Sequence, residues 1–256
     1  MKSIVIIPTY NEAETIEAVI DAVLREASGV DVLVVDDNSP DGTATLVACH
    51  PQFMHRVHLL SRADKDGLGA AYRAGFGWAL MGDFDAIVQM DADLSHPPER
   101  LPALLESLER NDLAIGSRYV EGGGISDWSL ARRAISWAGN QYVRVTLRLP
   151  VHDATAGFKA FRRDALLRIG AVDSESNGYC FQIENTWRAA RLGLRIIEVP
   201  ITFTDRTRGV SKMSSEIVRE ALLRVLTWRW RELTGRSPIP TDTPTAFQTG
   251  HHDAVA

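Results

Sequence analysis

The sequence predicts an α/β protein built on one mostly parallel sheet with helices on both faces. Two observations predict this class. Short β-branched runs alternate with amphipathic segments of helical length through the first half of the chain, and no internal repeat is present. Strands joined by helices run parallel and are buried on both faces. Ligands bind such sheets beyond the carboxyl ends of the strands, so the residues that follow each strand are the first candidates for a site.

The elements follow in order from the same pattern. Predicted strands cover 4–7, 32–35, 57–60, 86–90 and 113–115. Predicted helices cover 12–27, 42–49, 68–81, 98–110, 130–147 and 214–233, with a glycine-rich loop at 121–124 and a further αβ section up to 204. Asn11 is expected to cap the first helix, with Glu14 completing a capping box, and Asp41 is expected to cap the second. We expect one domain at 1–236 and a disordered proline-rich tail at 237–256.

Composition excludes several classes of protein. The chain has 256 residues, 45% hydrophobic and 24% charged, which is typical of a globular protein with a sizeable core. Cys49 and Cys180 show no paired or metal-type spacing and no leader precedes the first strand, which predicts a cytosolic protein. No apolar stretch reaches the roughly 18 to 20 residues that cross a bilayer. The net charge of -5 argues against a nucleic-acid partner.

Polar residues follow the first two strands. Pro8 is followed by Tyr10, whose ring could stack on a base, and Glu12, which could accept from a sugar hydroxyl; a purely structural role for this segment stays open. Asp36 and Asp37 come directly after the second strand, and adjacent carboxylates there need a donor or cation beside them. A nucleotide base or ribose supplies such donors.

Two further motifs follow the third and fourth strands. Lys65 lies before a helix that begins at Gly67-Leu68-Gly69, which is either an anion site or a loop with a solvated lysine. Tyr72 stands where a dinucleotide fingerprint has its third glycine, which weakens an oxidoreductase interpretation. Asp91-Ala92-Asp93 places two carboxylates on one side of an extended backbone, a pattern that suits Mg²⁺ or Mn²⁺ bridged to a diphosphate.

The ordered set of motifs resembles family 2 glycosyltransferases, and more narrowly the polyprenol (dolichol) monophosphate mannose synthases. The likeness covers 3 to about 235 and rests on PTYNE at 8–12, DDNSPDGT at 36–43, GLG at 67–69, DADLSHPPE at 91–99, GSRY at 116–119, RR at 132–133, Ser136, DATAGF at 153–158, GY at 178–179 and DRTRGVSK at 205–212. The resemblance implies a GT-A type fold and inverting transfer of mannose from GDP-mannose to a polyprenyl monophosphate. A single such motif is weak evidence, whereas the ordered set is strong.

The resemblance also implies roles for individual residues. The donor nucleotide would be held by Pro8, Tyr10, Glu12 and Asp37, with Lys65 and Ala92 beside it, and closed over by Arg206 and Lys212. The metal and diphosphate would be held by Asp91 and Asp93, with Ser95 in place of the Gln that some relatives carry. The acceptor phosphate would be held by Arg118, Arg132 and Ser136, and Asp93, Arg118 and Arg132 would be catalytic. Asp93→Ala and Arg118→Ala are expected to abolish transfer with the fold intact.

Charge is divided unevenly along the chain. Residues 118–148 and 206–236 carry net charges of +3 and +5, which leaves -13 for the remainder, and they hold four of the six tryptophans. Basic, Trp-containing amphipathic helices suit an anionic membrane interface, so we expect a peripheral protein at the cytoplasmic face, alone or with a separate membrane anchor protein. Packing of Trp228 and Leu222 on the sheet is the alternative.

Other functions stay open at this level. A polyprenyl-phosphate glycosyltransferase that uses UDP-glucose or another donor is the nearest alternative, and a non-catalytic nucleotide-binding module is more remote. A polysaccharide synthase is disfavoured because Leu226 stands where its late Gln-x-x-Arg-Trp motif has Gln.

Overall fold

The computed structural model describes residues 1–176, 178–205 and 215–236, without the side chains of 179 and 215–220. Its strands are β1 (Ser3–Thr9), β2 (Val30–Asp36), β3 (Val57–Ser61), β4 (Ala86–Gln89), β5 (Leu113–Ser117), β6 (Gly124–Ile125), β7 (Lys159–Arg162), β8 (Ile196–Pro200) and β9 (Thr202–Phe203). Its helices are α1 (Ile16–Glu26), α2 (Thr43–Ala48), α3 (Leu68–Met81), α4 (Leu101–Ser107), α5 (Leu130–Leu147), α6 (Arg163–Arg168), α7 (Gly178–Arg191) and α8 (Ser215–Leu233). Every strand and helix predicted for the first half is present, with a 3-10 turn at Pro98–Arg100 opening α4.

Seven strands form the central sheet in the order β3-β2-β1-β4-β7-β5-β8. All neighbours are parallel except β7, which runs antiparallel to both β4 and β5. The sheet is therefore mostly parallel, as predicted. The antiparallel β7 was not predicted; it brings its first residue, Lys159, beside Gln89 at the end of β4. β6 and β9 form a separate two-stranded parallel sheet.

The two faces of the sheet explain the apolar strands. Ile4 and Ile6 of β1 pack on the side of α3 and α7, whereas Val5 and Ile7 pack on the side of α1 and α4, and all four are fully buried. Successive side chains of β1 point to opposite faces of the sheet, and the side chains on both faces are apolar. In α3, Gly75 lets the helix approach β1 closely, since a Cβ there would lie 2.6 Å from Ile6 Cγ2.

The first helix begins later than predicted. Thr15 occupies the N-cap of α1, and Asn11 has a positive φ of 60°, so the expected Asn11 cap and Glu14 capping box are wrong. The loop is instead tied to the next one, because Asp41 accepts from the backbone N–H groups of Ala13 and Thr43. Asp41 itself lies one residue before the α2 N-cap, Gly42.

Three further expectations concern membrane-spanning helices, the two cysteines and the C-terminal tail. In the described part of the chain, no helix is both long and apolar enough to span a membrane. No disulfide joins Cys49 and Cys180, of which the first is exposed and the second buried. The expected tail at 237–256 lies outside the described residues.

A buried lysine lies between the sheet and α7. Lys159 is fully buried, and its Nζ donates to the carbonyl of Gln182 at 2.7 Å and to the hydroxyl of Thr186 at 2.8 Å. Burial lowers the pKa of its ammonium to about 7, with nearby Asp153 opposing the shift. The charged form is disfavoured because the interior solvates it less well than water does.

This lysine predicts a pH-dependent stability. Between pH 7 and the ordinary lysine pKa of 10.5, the unfolded chain holds the proton more often than the folded chain does. Folding stability therefore rises with pH in this window, by up to about 1.4 kcal/mol per pH unit from this group. Urea unfolding of the wild type and of Lys159→Met between pH 7 and 9.5 measures the difference in slope. Lys2→Met, at an exposed lysine, is the control; an unchanged slope in Lys159→Met contradicts the assignment.

Candidate active site

One cavity of about 430 Å³ opens at the carboxyl edge of the sheet. It brings together eleven of the fourteen residues that the sequence singled out: Pro8, Tyr10, Glu12, Asp37, Lys65, Asp91, Ala92, Asp93, Arg118, Arg132 and Ser136. Of the other three, Ser95 lies behind the described wall of the cavity, and Arg206 and Lys212 lie outside the described residues.

The two adjacent acids at the end of β2, Asp36 and Asp37, have different roles. Asp36 is a loop anchor, since its carboxylate accepts from Thr9 Oγ1 at 2.8 Å and from Ser39 Oγ at 2.6 Å. Asp37 faces the cavity and accepts from Arg62 Nη1 at 2.7 Å. Burial raises the pKa of the Asp37 carboxyl, and the Arg62 guanidinium partly opposes this rise. Arg62 is thus the cation that lets two neighbouring carboxylates coexist.

The Tyr10 ring, which also lines the cavity, is covered by the cation of Lys65. Lys65 Nζ lies 3.6 Å from the centroid of the Tyr10 ring, which is a close cation–π contact. Glu12 is fixed by its backbone, because its N–H donates to Thr43 Oγ1 at 3.1 Å. This end therefore offers an aromatic face, a carboxylate and an ammonium group within one cavity.

The Asp-x-Asp after β4 is positioned by hydrogen bonds with neighbouring residues. Asp93 Oδ1 accepts from the Ser95 N–H at 3.1 Å and from its hydroxyl at 2.5 Å. Ser95 thus contacts Asp93 rather than lining the cavity. The N–H of Asp91 donates to His96 Nδ1 at 3.0 Å, and Tyr72 donates to Asp91 Oδ1 at 3.4 Å.

The donor set fits a divalent cation. Among the described residues, no group of three or more His, Cys, Asp or Glu side chains is arranged to hold a metal without other ligands. Asp91 and Asp93 give two carboxylates at the same cavity wall, and Mg²⁺ is commonly held by one or two carboxylates together with phosphate oxygens and water.

Arg118, at the other end of the cavity, is fixed by a buried carboxylate. Its Nε and Nη2 each donate to Asp153 at 2.7 Å, and Nη2 also donates to Thr155 Oγ1 at 2.9 Å. Asp153 is fully buried, and Glu198 accepts from its backbone N–H at 2.9 Å. The two parallel hydrogen bonds fix the plane of the guanidinium.

Arg132 and Ser136 project from one face of α5. Arg132 Nη1 donates to Asp205 Oδ2 at 2.8 Å, and its guanidinium lies 4.0 Å from the centroid of the Trp128 ring. Ser136 Oγ accepts from the Tyr119 hydroxyl at 2.8 Å. Arg118, Arg132 and Ser136 thus all line the same cavity.

Several lining residues had no role assigned from the sequence. Trp128, Asn140, Thr155 and Phe203 line this end of the cavity, and Asp153 supports it. Only the DATAGF motif at 153–158 pointed toward any of them. Trp128 was expected at a membrane interface, but it packs edge-on against Phe203 with ring centroids 5.5 Å apart.

A mostly parallel sheet with an Asp-x-Asp after its fourth strand and a cavity beyond it is the architecture of the GT-A fold. Solved structures share this fold. A glucosyl-3-phosphoglycerate synthase from Mycobacterium tuberculosis, solved with Mn²⁺ and UDP, superimposes with a TM-score of 0.61 at 21% identity, over 93% of this chain and 81% of that one. A mannosyltransferase from Pyrobaculum calidifontis, solved with GDP-Man and Mn²⁺, gives 0.58 at 20% identity, over 93% and 66%.

The chain belongs to glycosyl transferase family 2, whose pattern matches residues 4–170. An undecaprenyl-phosphate mannosyltransferase from Micrococcus luteus is 49% identical over 240 residues, covering 92% of this chain and 99% of the relative. A polyprenol monophosphomannose synthase from Mycolicibacterium smegmatis is 47% identical over 232 residues, covering 89% and 86%. The resemblance read from the motifs is thereby confirmed.

The buried ion pair changes one expectation about variants. Arg118→Ala leaves the carboxylate of Asp153 buried without its cation, which we expect to lower the free energy of unfolding by about 3 to 5 kcal/mol. Removing both charges in Arg118→Ala/Asp153→Ala should restore part of this loss. Denaturant unfolding of both variants measures it; a single variant as stable as wild type contradicts the prediction. Loss of activity in Arg118→Ala is therefore interpretable only beside its stability.

Proposed function

We propose that this enzyme transfers mannose from GDP-mannose to the phosphate of a polyprenyl monophosphate, with inversion at the anomeric carbon. The observation that carries the proposal is the lining of the cavity. One cavity is lined by a carboxylate pair, two arginines and an apolar wall, the last formed by Ile135, Gly139 and Val143 of α5, Ile183 of α7, and Ala221 and Leu222 of α8. The two relatives, named a mannosyltransferase and a phosphomannose synthase, support the same substrate class.

The donor is assigned to the end formed by the loops after β1 and β2. The Tyr10 ring offers a face for the base, and the Glu12 and Asp37 carboxylates accept from base or ribose donors. Pro8, Lys65 and Ala92 complete this wall. Arg206 and Lys212, which lie outside the described residues, are proposed to close over the donor. The neighbour solved with GDP-Man supports a guanosine donor on this fold.

Asp91 and Asp93 are proposed to hold Mg²⁺ or Mn²⁺ against the donor diphosphate. The bound cation would neutralise charge that develops on the leaving diphosphate. Ser95 acts through Asp93, because both of its donors already point at one oxygen of that carboxylate. The neighbours solved with Mn²⁺ support a divalent metal in general.

Arg118, Arg132 and Ser136 are proposed to bind the acceptor phosphate. A phosphomonoester has its second pKa near about 6, so at neutral pH the acceptor is already a nucleophilic dianion and needs no catalytic base. The site instead has to bring two anions together and align them for in-line attack, which is the role we assign to these three residues and to Asp93.

The exposed apolar side chains of α5 and α8 support binding at a membrane surface. Trp137 of α5 and Trp230 of α8 are each 56% exposed, and Leu223 and Leu226 are exposed beside Trp230. Trp228 does not contribute, because it is buried and stacks on Trp187 at 5.4 Å. We propose that this surface docks on the cytoplasmic face of a membrane, where a lipid acceptor is found.

Two alternatives remain as outcomes of experiment. Transfer from UDP-glucose uses the same carboxylate pair and arginines, so geometry at the acceptor end does not separate it from transfer of mannose. A non-catalytic nucleotide-binding module has no need for two arginines opposite the Asp-x-Asp, and the chain keeps both sets.

The first test compares donors. We expect glycolipid from GDP-mannose, farnesyl phosphate and Mg²⁺ or Mn²⁺, and loss of product with a chelator; product from UDP-glucose alone contradicts the mannose assignment. Asp93→Asn should lower turnover by about 100-fold or more, because the metal contributes several kcal/mol to transition-state stabilisation. Asp83→Asn, at a carboxylate far from the cavity and 81% exposed, is the matched control. Near-normal turnover in Asp93→Asn removes that residue from the mechanism.

The second test concerns the membrane. Flotation with vesicles containing anionic lipid at low salt should carry the protein upward, and Trp137→Ser/Trp230→Ser should reduce the partition by about tenfold or more, because each ring buries a large apolar area. Met54→Ser/Met81→Ser removes side chains that are 73% and 79% exposed elsewhere, and it should float like wild type. Wild-type protein that stays in the lower fraction shows that it does not dock unaided.

A further inference from the structure

Trp128 lies in the loop between β6 and α5, two residues before the first residue of the helix. Asp127 before it has a positive φ of 62°, and Ser129 after it is the N-cap, whose side chain accepts from the Arg132 N–H at 3.3 Å. A left-handed residue beside a helix cap costs free energy, so the loop conformation is maintained by the contacts around it. Those contacts include the Trp128 ring on Phe203 and the Ser126 N–H, which donates to the Phe203 carbonyl at 2.9 Å.

The ring lies among the cations of the acceptor end. The guanidinium of Arg132 is 4.0 Å from the ring centroid and that of Arg118 is 5.9 Å away, while Phe203 meets the ring edge-on. Packing on the indole limits the rotamers that the Arg132 side chain can adopt.

The polar atom of the ring has no partner in the described chain. Trp128 Nε1 is buried and makes no hydrogen bond to any described residue, although the ring itself lines the cavity. A buried indole N–H normally finds an acceptor, because leaving it unpaired costs the hydrogen bond it had in water. An acceptor that enters the cavity would satisfy it.

Charge balance at this end also calls for further donors. Arg118 faces the Asp153 carboxylate, and Arg132 faces the Asp205 carboxylate. Among the described residues, each of these two cations thus faces an anion, so a phosphate dianion beside them gains less than the bare guanidinium charges suggest. A neutral N–H adds a hydrogen bond to the phosphate without bringing a counter-ion of its own.

We propose that Trp128 is an acceptor-binding residue: its indole N–H donates to the acceptor phosphate, and its ring positions the Arg132 guanidinium. This inference rests on the proposed function, since it takes a phosphate monoester as the ligand of this end. It assigns to Trp128 a role inside the cavity instead of the membrane contact expected from the sequence.

The indole N–H signals of ¹⁵N-labelled protein test the hydrogen bond directly. The Trp128 signal is assigned by its loss in Trp128→Phe, or by through-space contacts to the Phe203 ring if that variant does not fold. We expect a downfield shift on adding farnesyl phosphate, a smaller shift with inorganic phosphate at equal concentration, and none with farnesol. An unmoved signal in protein that demonstrably binds farnesyl phosphate overturns the proposal.

Kinetics separate this role from a structural one. Trp128→Phe keeps a ring over Arg132 and removes the N–H; we expect its KM for farnesyl phosphate to rise about 10- to 100-fold, as for loss of a hydrogen bond to a charged group. Its KM for GDP-mannose and its Tm should stay close to wild type. Trp78→Phe, at a ring that packs on Phe84 away from the cavity, is the matched control.

The remaining outcomes are also decisive. Equal KM values for farnesyl phosphate in wild type and Trp128→Phe overturn the hydrogen bond. A fall in Tm with proportionate loss of activity toward both substrates shows a structural role only. Wild-type protein that neither binds nor glycosylates farnesyl phosphate refutes the proposed function, and this inference with it; that result differs from the others because it appears without any substitution.

Discussion

The buried ion pair between Arg118 and Asp153 is the contact on which the acceptor end of the cavity depends. Arg118 follows β5, and Asp153 lies in the segment that leads into β7. Because β7 is antiparallel to β5 and β4, its beginning lies at the edge where those strands end. One reversed strand thus brings a carboxylate from a distant part of the chain to the carboxyl edge of a parallel sheet, where it fixes a guanidinium in the cavity wall.

The same principle operates at the donor end with opposite charges. There carboxylates face the cavity and cations or donors stand behind them: Arg62 behind Asp37, and Ser95 behind Asp93. At the acceptor end the cation faces the cavity and the carboxylate stands behind. Each cavity-facing charge is therefore held in one orientation by a partner, which reduces the reorganisation needed when ligands of the complementary charge arrive. The two halves differ in sign but share this construction.

The sequence predicted the parallel part of the sheet well because its signals are local. Apolar runs fix the strands, and the side chains just after them follow the strands to one edge. The antiparallel β7 could not be predicted this way, because its four residues carry no clear alternation and include the buried Lys159, which a sequence pattern assigns to solvent.

Side-chain roles that depend on distant contacts were likewise beyond the sequence. Asp36 and Asp37 cannot be distinguished in the sequence. In the structure, Asp36 contacts Ser39 and anchors a loop, whereas Asp37 contacts Arg62 and lines the cavity. The interface tryptophans divide in the same way: Trp228 finds Trp187 in the core, whereas Trp230 two residues on is exposed. The composition does not distinguish buried tryptophans from exposed ones; only the packing of the folded chain does.

The helical period of α5 places cavity-lining residues on one side of the helix and the exposed Trp137 on another. Four of its cavity-lining positions, Arg132, Ser136, Gly139 and Val143, recur at intervals of three or four residues and therefore share one face. Trp137 follows Ser136 directly and so projects about 100° away around the helix axis, where it is exposed. Along the cavity face the residues change from charged to apolar within three turns. A ligand with an anionic head and an apolar chain that lies along this face meets matching surfaces in order, and the exposed ring stands beside the apolar half.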